Sequence, residues 1–404
     1  MDPQLQHFVG APRPIGPRYG SIDFGHQNGC DEGVIVRFGL FLMPEPFPWS
    51  NWTLSYDLKL EEMALADRLG YDEVWVGEHH TGAYENIPAP DIFIAKASAV
   101  THRIGLGTGT INLPYHDPFM VAERLAFLDH LTHGRLIYGF GGGGLVSDKR
   151  FFKLDPNEGT PRLREALDII EALYASTDYI NFDGKFWNLD HKRIQVRPYQ
   201  ESPQFAIAGM SGVHNFDLCG SRGYGALSIY FTPVRIDSNP GMPDLRSQGA
   251  ALAEAAERSG RDPERARRDW RICREVYVSD SKDAAMSEIR ESLRQSYDYL
   301  FKIGLGALMK READMPDAEV TFDWMVENIP WIIGSPAECR AQIHDLDDDL
   351  GGFGTLLFNS REWVTTDRWN RSLELFARYV TPHFSRRDDQ RFRTELADDA
   401  LGGG

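Results

Sequence analysis

Long apolar runs are missing from this 404-residue chain and no signal-peptide pattern opens it, so neither a membrane span nor a secreted, disulfide-stapled domain is expected. Cysteine is scarce: Cys30, Cys219, Cys273 and Cys339 lie far apart, without metal-ligand spacing. That predicts a reduced, cytoplasmic protein. Positive charge is also short, with 43 Lys and Arg against 60 Asp and Glu and a net charge of −17. Nucleic acid and anionic membranes would be repelled at long range, which removes both as expected partners. Internal repeats of roughly 20 to 50 residues are absent too, which sets repeat architectures aside. What is plentiful is core material: 42% of residues are hydrophobic and 12% aromatic, enough for a sizeable interior and too much for general disorder.

The chain is organised around the run Asp72-Glu73-Val74-Trp75-Val76-Gly77-Glu78-His79-His80. A segment rich in Val and Trp, followed at once by three ionisable side chains, reads as a buried parallel strand that carries a reactive tip. A helical pattern over 54–69, closed by Gly70, precedes it, and before that stands the apolar run 38–43, stopped by Pro44. Strand, helix, strand is the unit from which parallel sheets are built. Six more strand-like runs follow at 104–113, 135–140, 204–208, 224–231, 271–278 and 354–358, with helical patterns such as 118–131, 162–174, 283–300 and 336–346 between them. Eight alternations predict an α/β fold, a (β/α)8 TIM barrel with insertions, in preference to an open sheet. Residues 1–33 are expected to form an extended N-terminal arm, 34–383 the barrel domain and 384–404 a flexible C-terminal tail. Insertions near 179–200, 232–270 and 301–331 exceed what a barrel needs, and substrate specificity is expected to reside there. The first of them contains an aromatic run with a turn, a hairpin pattern.

The catalytic face of such a barrel is built by the C-terminal ends of its strands. Strand alternation sends Glu78 and His80 to one side and His79 to the other, so only one set is expected at the mouth. His79 is the candidate catalytic residue, because a histidine at a strand end titrates near neutrality and has few structural tasks there. His80 reads equally well as a hydrogen-bonded shell residue. A metal site is not supported: barrel hydrolases use a His-x-His pair with further His and Asp ligands on later strands, and no such set is present.

The run Gly139-Phe140-Gly141-Gly142-Gly143-Gly144 matches the dinucleotide fingerprint in form only. It follows the fourth strand instead of the first, and no strand with a terminal acidic residue lies about twenty positions on. Consecutive glycines nevertheless let backbone approach a ligand and aim N–H groups at an anion, unless the run is a plain flexible loop. Gly107, Thr108, Gly109 and Thr110 offer small residues against which a flat ring could lie, and Gly209, Met210, Ser211 and Gly212 offer a hydroxyl and N–H groups fit for a phosphate. Together these outline a site for a large, flat, phosphorylated ligand with a histidine at its edge.

At this level of detail the chain resembles a known family. Phe38-Gly39-Leu40-Phe41, the strand ending in Glu78-His79-His80, Gly107-Thr108-Gly109-Thr110-Ile111-Asn112-Leu113-Pro114 and Leu128-Asp129-His130-Leu131-Thr132-His133-Gly134-Arg135 are similar to blocks of the bacterial luciferase-like flavin-dependent monooxygenases. Pro114-Tyr115-His116-Asp117-Pro118-Phe119-Met120-Val121-Ala122 is similar to the limonene-monooxygenase-like branch. The match is close over roughly residues 36–230 and holds in outline beyond, through Ile333-Gly334-Ser335-Pro336-Ala337-Glu338.

The resemblance implies a barrel that binds reduced FMN from a separate flavin reductase, forms a flavin C4a-hydroperoxide with O2, and oxygenates an apolar small molecule by hydroxylation, epoxidation or Baeyer–Villiger insertion. It also implies that His79 is catalytic and that Gly109-Thr110 is a cis peptide beneath the ring. Cofactor contacts are implied from Glu78, Thr108, Gly109, Thr110, Gly141, Gly142, Gly143, Gly144, Gly209, Met210 and Ser211. A homodimer is implied as well. One departure stands out: luciferase has an arginine in the loop after the fourth strand to meet the phosphate, and 141–144 have none, which leaves Lys149, Arg150, Arg162 or backbone N–H groups for that task. Phe47, Trp49, Trp52, Phe151 and Tyr230 are the aromatic candidates for an apolar substrate. The alternatives are a deazaflavin-dependent hydride-transfer oxidoreductase, a non-catalytic flavin-binding protein on the same barrel, and a metal-dependent hydrolase.

Overall fold

The computed structural model describes residues 35–44, 51–83, 85–209, 212–229, 244–310, 314–362 and 364–384. The expected arm over 1–33 and the tail beyond 384 lie outside these residues. Eight parallel strands close on themselves in chain order: Arg37–Leu42, Glu73–Val76, Gly105–Thr108, Leu136–Gly141, Gln204–Gly209, Gly225–Ser228, Trp270–Arg274 and Thr355–Ser360. The first strand pairs with the eighth, Arg37 opposite Thr355, and with the second, Gly39 opposite Glu73, which closes the ring. This is the (β/α)8 TIM barrel that the alternation predicts.

Helices cover the outside, and local chemistry fixes their ends. The helix Trp52–Leu69 begins where Asn51 accepts a hydrogen bond from the Leu54 N–H, and it ends at Gly70, whose φ of 89° suits a residue without Cβ. Pro336–Leu350 opens with a capping box, Ser335 and Glu338 each bonding the other's backbone. Phe38 and Phe358, on neighbouring strands, meet Phe376 of the helix Thr366–Tyr379, with ring centroids 4.9 and 4.5 Å away. That aromatic layer seals the barrel wall where its first and last strands join.

Inside the barrel, Trp75 is fully buried and its indole lies against the next two strands. A Cβ on Gly107 would stand 2.4 Å from the indole, and one on Gly139 would stand 2.6 Å from it. Gly107 is therefore small to admit Trp75. The expectation that its space serves a ligand is corrected: the indole already fills it. At the N-terminal end of the strands, Glu73 makes a bidentate pair with Arg271 at 2.6 and 2.8 Å and accepts from Trp75 Nε1 at 2.9 Å. Burial works to raise the Glu73 pKa, but Arg271, Arg37 and these bonds hold it down at about 2.

Three expected elements are realised differently. The run 104–113 breaks into Gly105–Thr108 and Ile111–Asn112 around a cis Gly109–Thr110 peptide, the geometry that the resemblance implies. The run 271–278 divides at Glu275, because Val276–Val278 leaves the barrel to pair with Ile332–Gly334. Residues 245–268, within the expected insertion near 232–270 for which no element was assigned, form the helices Leu245–Arg258 and Pro263–Arg268. The hairpin of the first insertion is present as Ile180–Asp183 with Asn188–Lys192, and its turn is tied to the helix Gly159–Ala175 by Glu165, which accepts from the N–H groups of Lys185, Phe186 and Trp187. No described helix is long and apolar enough to cross a membrane.

Candidate active site

The second strand ends at Val76, so residues 77–80 are released from strict alternation. Glu78 and His79 consequently both line one cavity, and the expectation that only one of them faces the mouth is corrected. The cavity encloses about 420 Å³ at the C-terminal ends of the strands, within the usual range of small-ligand sites. Its described lining divides by chemistry. Phe41, Leu227, Ile229, Cys273 and Leu305 are apolar, whereas Gly141 to Gly144, Asn157, Thr160 and Lys149 present backbone and polar groups.

Glu78 is the hub. Its Oε1 accepts from His80 Nε2 at 2.8 Å and His116 Nε2 at 2.7 Å, and its Oε2 accepts from the Asn112 N–H at 2.7 Å. Asn112 Nδ2 returns a bond to the Glu78 carbonyl at 3.1 Å. Burial alone would raise this carboxyl; the bonds from His116, His80 and Asn112 hold it instead at about 2. The carboxylate therefore stays ionised and ties the loop after the second strand to the segment 112–116. His80 is the hydrogen-bonded residue that one reading of the sequence allowed, with its ring edge against Phe152 at 4.8 Å and Tyr115 at 6.0 Å.

His79 takes different partners. Its Nδ1 lies 2.9 Å from Asp148 Oδ2, and Asp148 also accepts from the His80 N–H at 3.2 Å and Thr81 Oγ1 at 2.5 Å. Its Nε2 lies 3.8 Å from Glu85 Oε1. Burial pulls the His79 pKa down, but Glu85 and then Asp148 outweigh it and leave the ring with a raised pKa. Asp148, Glu85 and His116 were not singled out from the sequence as site residues. For Asp148 no signal was available, since it lies 69 residues from His79 on a six-residue helix, Val146–Phe151.

The glycine run has two functions. A Cβ on Gly141 would meet Thr110 Oγ1 at 2.3 Å, and one on Gly143 would meet the Tyr115 hydroxyl at 2.2 Å, so these two admit protein side chains. The atoms nearest to a Cβ on Gly142 would be the Gly159 and Thr160 backbone, no closer than 3.7 Å, so no side chain claims the space at this glycine. A flat ring over the apolar residues and an anion against this polar end fit the residues present. Among the described lining residues Lys149 is the only lysine or arginine. Arg162 is occupied, bonded to Glu158 at 3.1 Å with its guanidinium 4.4 Å from the Phe186 ring, and Arg150 is exposed.

Of the other expected contacts, Gly109 and Thr110 line the cavity, whereas Thr108 and Gly209 do not. The Thr108 hydroxyl is committed to the Gly139 carbonyl and N–H at 2.7 and 2.8 Å. Gly209 backs onto the Phe216 ring. Met210 and Ser211 lie outside the described residues, as do Phe47, Trp49 and Tyr230. Trp52 and Phe151 are exposed and away from the cavity, and of the described insertion residues only Leu305 reaches it. Among the described residues, no group of three His, Cys, Asp or Glu is placed to hold a metal ion.

Comparison with known proteins agrees with this fold. Residues 36–351 match the family model described as luciferase-like monooxygenase. The 4-hydroxyprotoasukamycin monooxygenase of Streptomyces nodosus subsp. asukaensis is 36% identical over 352 residues, covering 87% of this chain and 92% of the relative. Limonene 1,2-monooxygenase of Rhodococcus erythropolis is 34% identical over 357 residues, covering 87% of each. Among solved structures, the oxygenating constituent of 3,6-diketocamphane monooxygenase from Pseudomonas putida, in complex with FMN, superposes with a TM-score of 0.74 at 23% identity, covering 86% of this chain and 98% of that one.

Proposed function

Because this chain belongs to the luciferase-like monooxygenase family and is a flavin-dependent oxidoreductase of that kind, we propose that it takes reduced FMN from a separate reductase and inserts one atom of O2 into an apolar small molecule. Hydroxylation, epoxidation and Baeyer–Villiger insertion are all open to the same site. The observation that carries the reading is His79, fixed by Asp148 at the edge of a cavity with an apolar part and a glycine-lined polar part. When bound, reduced FMN supplies the two electrons that activate O2.

The protein's own contribution follows from its side chains. Phe41, Leu227 and Ile229 offer apolar surface to a flat ring, with the Gly109–Thr110 backbone beside them. Lys149, Asn157, Thr160 and the backbone of the glycine run face the position suited to the phosphate. Asp148 fixes the orientation of the His79 ring through Nδ1, so that a proton is held or moved at Nε2. Leu145 and Leu305 add apolar surface to the lining of the same cavity. A homodimer is part of the proposal. Met120, Phe127 and Leu131 form one exposed stripe on the helix Pro118–Leu131, beside exposed Ile92 on the helix Pro90–Ala97.

The FMN held by the solved relative makes FMN the first cofactor to test. The experiment is a binding titration with FMN and with a deazaflavin, followed by turnover with reduced FMN, O2 and a panel of terpenoids and ketones. Oxygenated product that depends on reduced FMN supports the proposal. Binding of the deazaflavin alone, with hydride transfer and no oxygen uptake, would replace it by a deazaflavin-dependent oxidoreductase; flavin binding without turnover would point to a carrier.

A further inference from the structure

The loop after the second strand brings a second carboxylate to His79. Glu85 is 5% exposed, lines the cavity and places Oε1 3.8 Å from His79 Nε2, the edge opposite the one Asp148 holds at 2.9 Å. The position of this carboxylate is built into the fold: a Cβ on Gly77 would lie 2.1 Å from Glu85 Oε2, so Gly77 is small where the carboxylate needs the room. We propose that Glu85 is the cavity-side partner of His79, a positioning residue that keeps a proton on Nε2 and makes His79 a proton donor to the reacting oxygen.

The inference rests on the reading that His79 faces the reaction, and it specifies the direction of proton flow. An imidazole between two carboxylates is stabilised in its charged form by both, and Asp148 alone would fix the ring without deciding what Nε2 carries. The groups that face His79 are Asp148, Glu85 and the adjacent Glu78; Tyr115 stands near Asp148, and the Cys273 thiol near Glu85. Monooxygenation leaves one oxygen atom in the product and reduces the other to water, which consumes protons. In the proposed step the Nε2–H bond breaks, an O–H bond forms on that second oxygen, and the neutral imidazole regains its proton from solvent with Glu85 favouring its return.

The test needs no flavin. In protein labelled with 15N-histidine, the His79 resonance is identified by its loss in His79→Ala and titrated against pH. Wild type should titrate above 6.5, the ordinary histidine value. Glu85→Gln should lower the midpoint by about one pH unit, as loss of a carboxylate within a few ångströms does. Glu85→Asp should restore part of the shift, and Gly77→Ala, which displaces the carboxylate without changing charge, should also lower the midpoint. In turnover, the product-forming limb that falls as pH rises should move to lower pH by the same interval in Glu85→Gln. An unchanged His79 midpoint in a folded Glu85→Gln protein overturns the proposal. The predicted midpoint shifts in a protein that oxygenates nothing would uphold the coupling and overturn the oxygenase reading instead.

Discussion

Replacing Glu78 by Gln keeps the volume of the hub and removes its charge, and the structure says how much that should cost. Glu78 is 2% exposed and accepts from two imidazoles and one backbone N–H within 2.8 Å. An amide has one oxygen, so its NH2 must face either the Asn112 N–H, donor against donor, or the histidine pair, whose Nε2 atoms must then change tautomer to accept; the first arrangement leaves a buried unmet donor at about 1 to 3 kcal/mol. Proton linkage gives an independent figure: a carboxyl moved from an ordinary 4.5 to about 2 stabilises the fold by about 3 kcal/mol near neutral pH. Both figures describe the same bonds, so they are not summed; the expected loss for Glu78→Gln is about 2 to 3 kcal/mol.

The pH dependence follows from the direction of the shift. A depressed carboxyl contributes fully above its unfolded pKa, and that stability is lost as pH falls through 4.5 toward about 2. Urea unfolding of wild type and Glu78→Gln at about pH 7 and about pH 4 measures it, since the other carboxylates titrate in both proteins. The gap should narrow by about 1 kcal/mol at the lower pH. A variant within about 0.5 kcal/mol of wild type, or a gap that does not change with pH, would show that the Glu78 hub does not hold the loops as described.

Three further outcomes are expected. His79→Ala should leave FMN affinity within about twofold while product formed per O2 falls and hydrogen peroxide rises, measured by oxygen electrode and peroxidase assay; full coupling in the variant would remove His79 from the chemistry. Lys149→Met should weaken FMN binding about tenfold and leave riboflavin, which has no phosphate, unaffected; equal loss for both ligands would place the phosphate elsewhere. Gly107→Ala puts a Cβ 2.4 Å from the Trp75 ring and should cost about 1 to 3 kcal/mol of stability, partly recovered when Trp75 is replaced by Leu. No recovery in the double variant would mean that the clash is with something other than the indole.

The share of this protein legible in its sequence follows the range of the forces involved. Strand and helix patterns act over a few residues, so apolar runs, Gly70 and the alternation of eight units sufficed for the barrel and for the placement of Glu78-His79-His80 at a strand end. The family blocks likewise lie in contiguous sequence. Tertiary structure alone decided who meets whom: Asp148 against His79 across 69 residues, His116 against Glu78 across 38, and Trp75 filling the space that Gly107 and Gly139 leave open. Periodicity also overreached at residues 77–80, where the strand has already ended and both Glu78 and His79 turn to the cavity. Contacts of that kind depend on barrel closure, which brings distant strand ends within a few ångströms and sets the burial and charge that tune each side chain. The residue types are written along the chain, but the electrostatic roles of Glu78, His79 and Glu85 exist only once the ring of strands is closed.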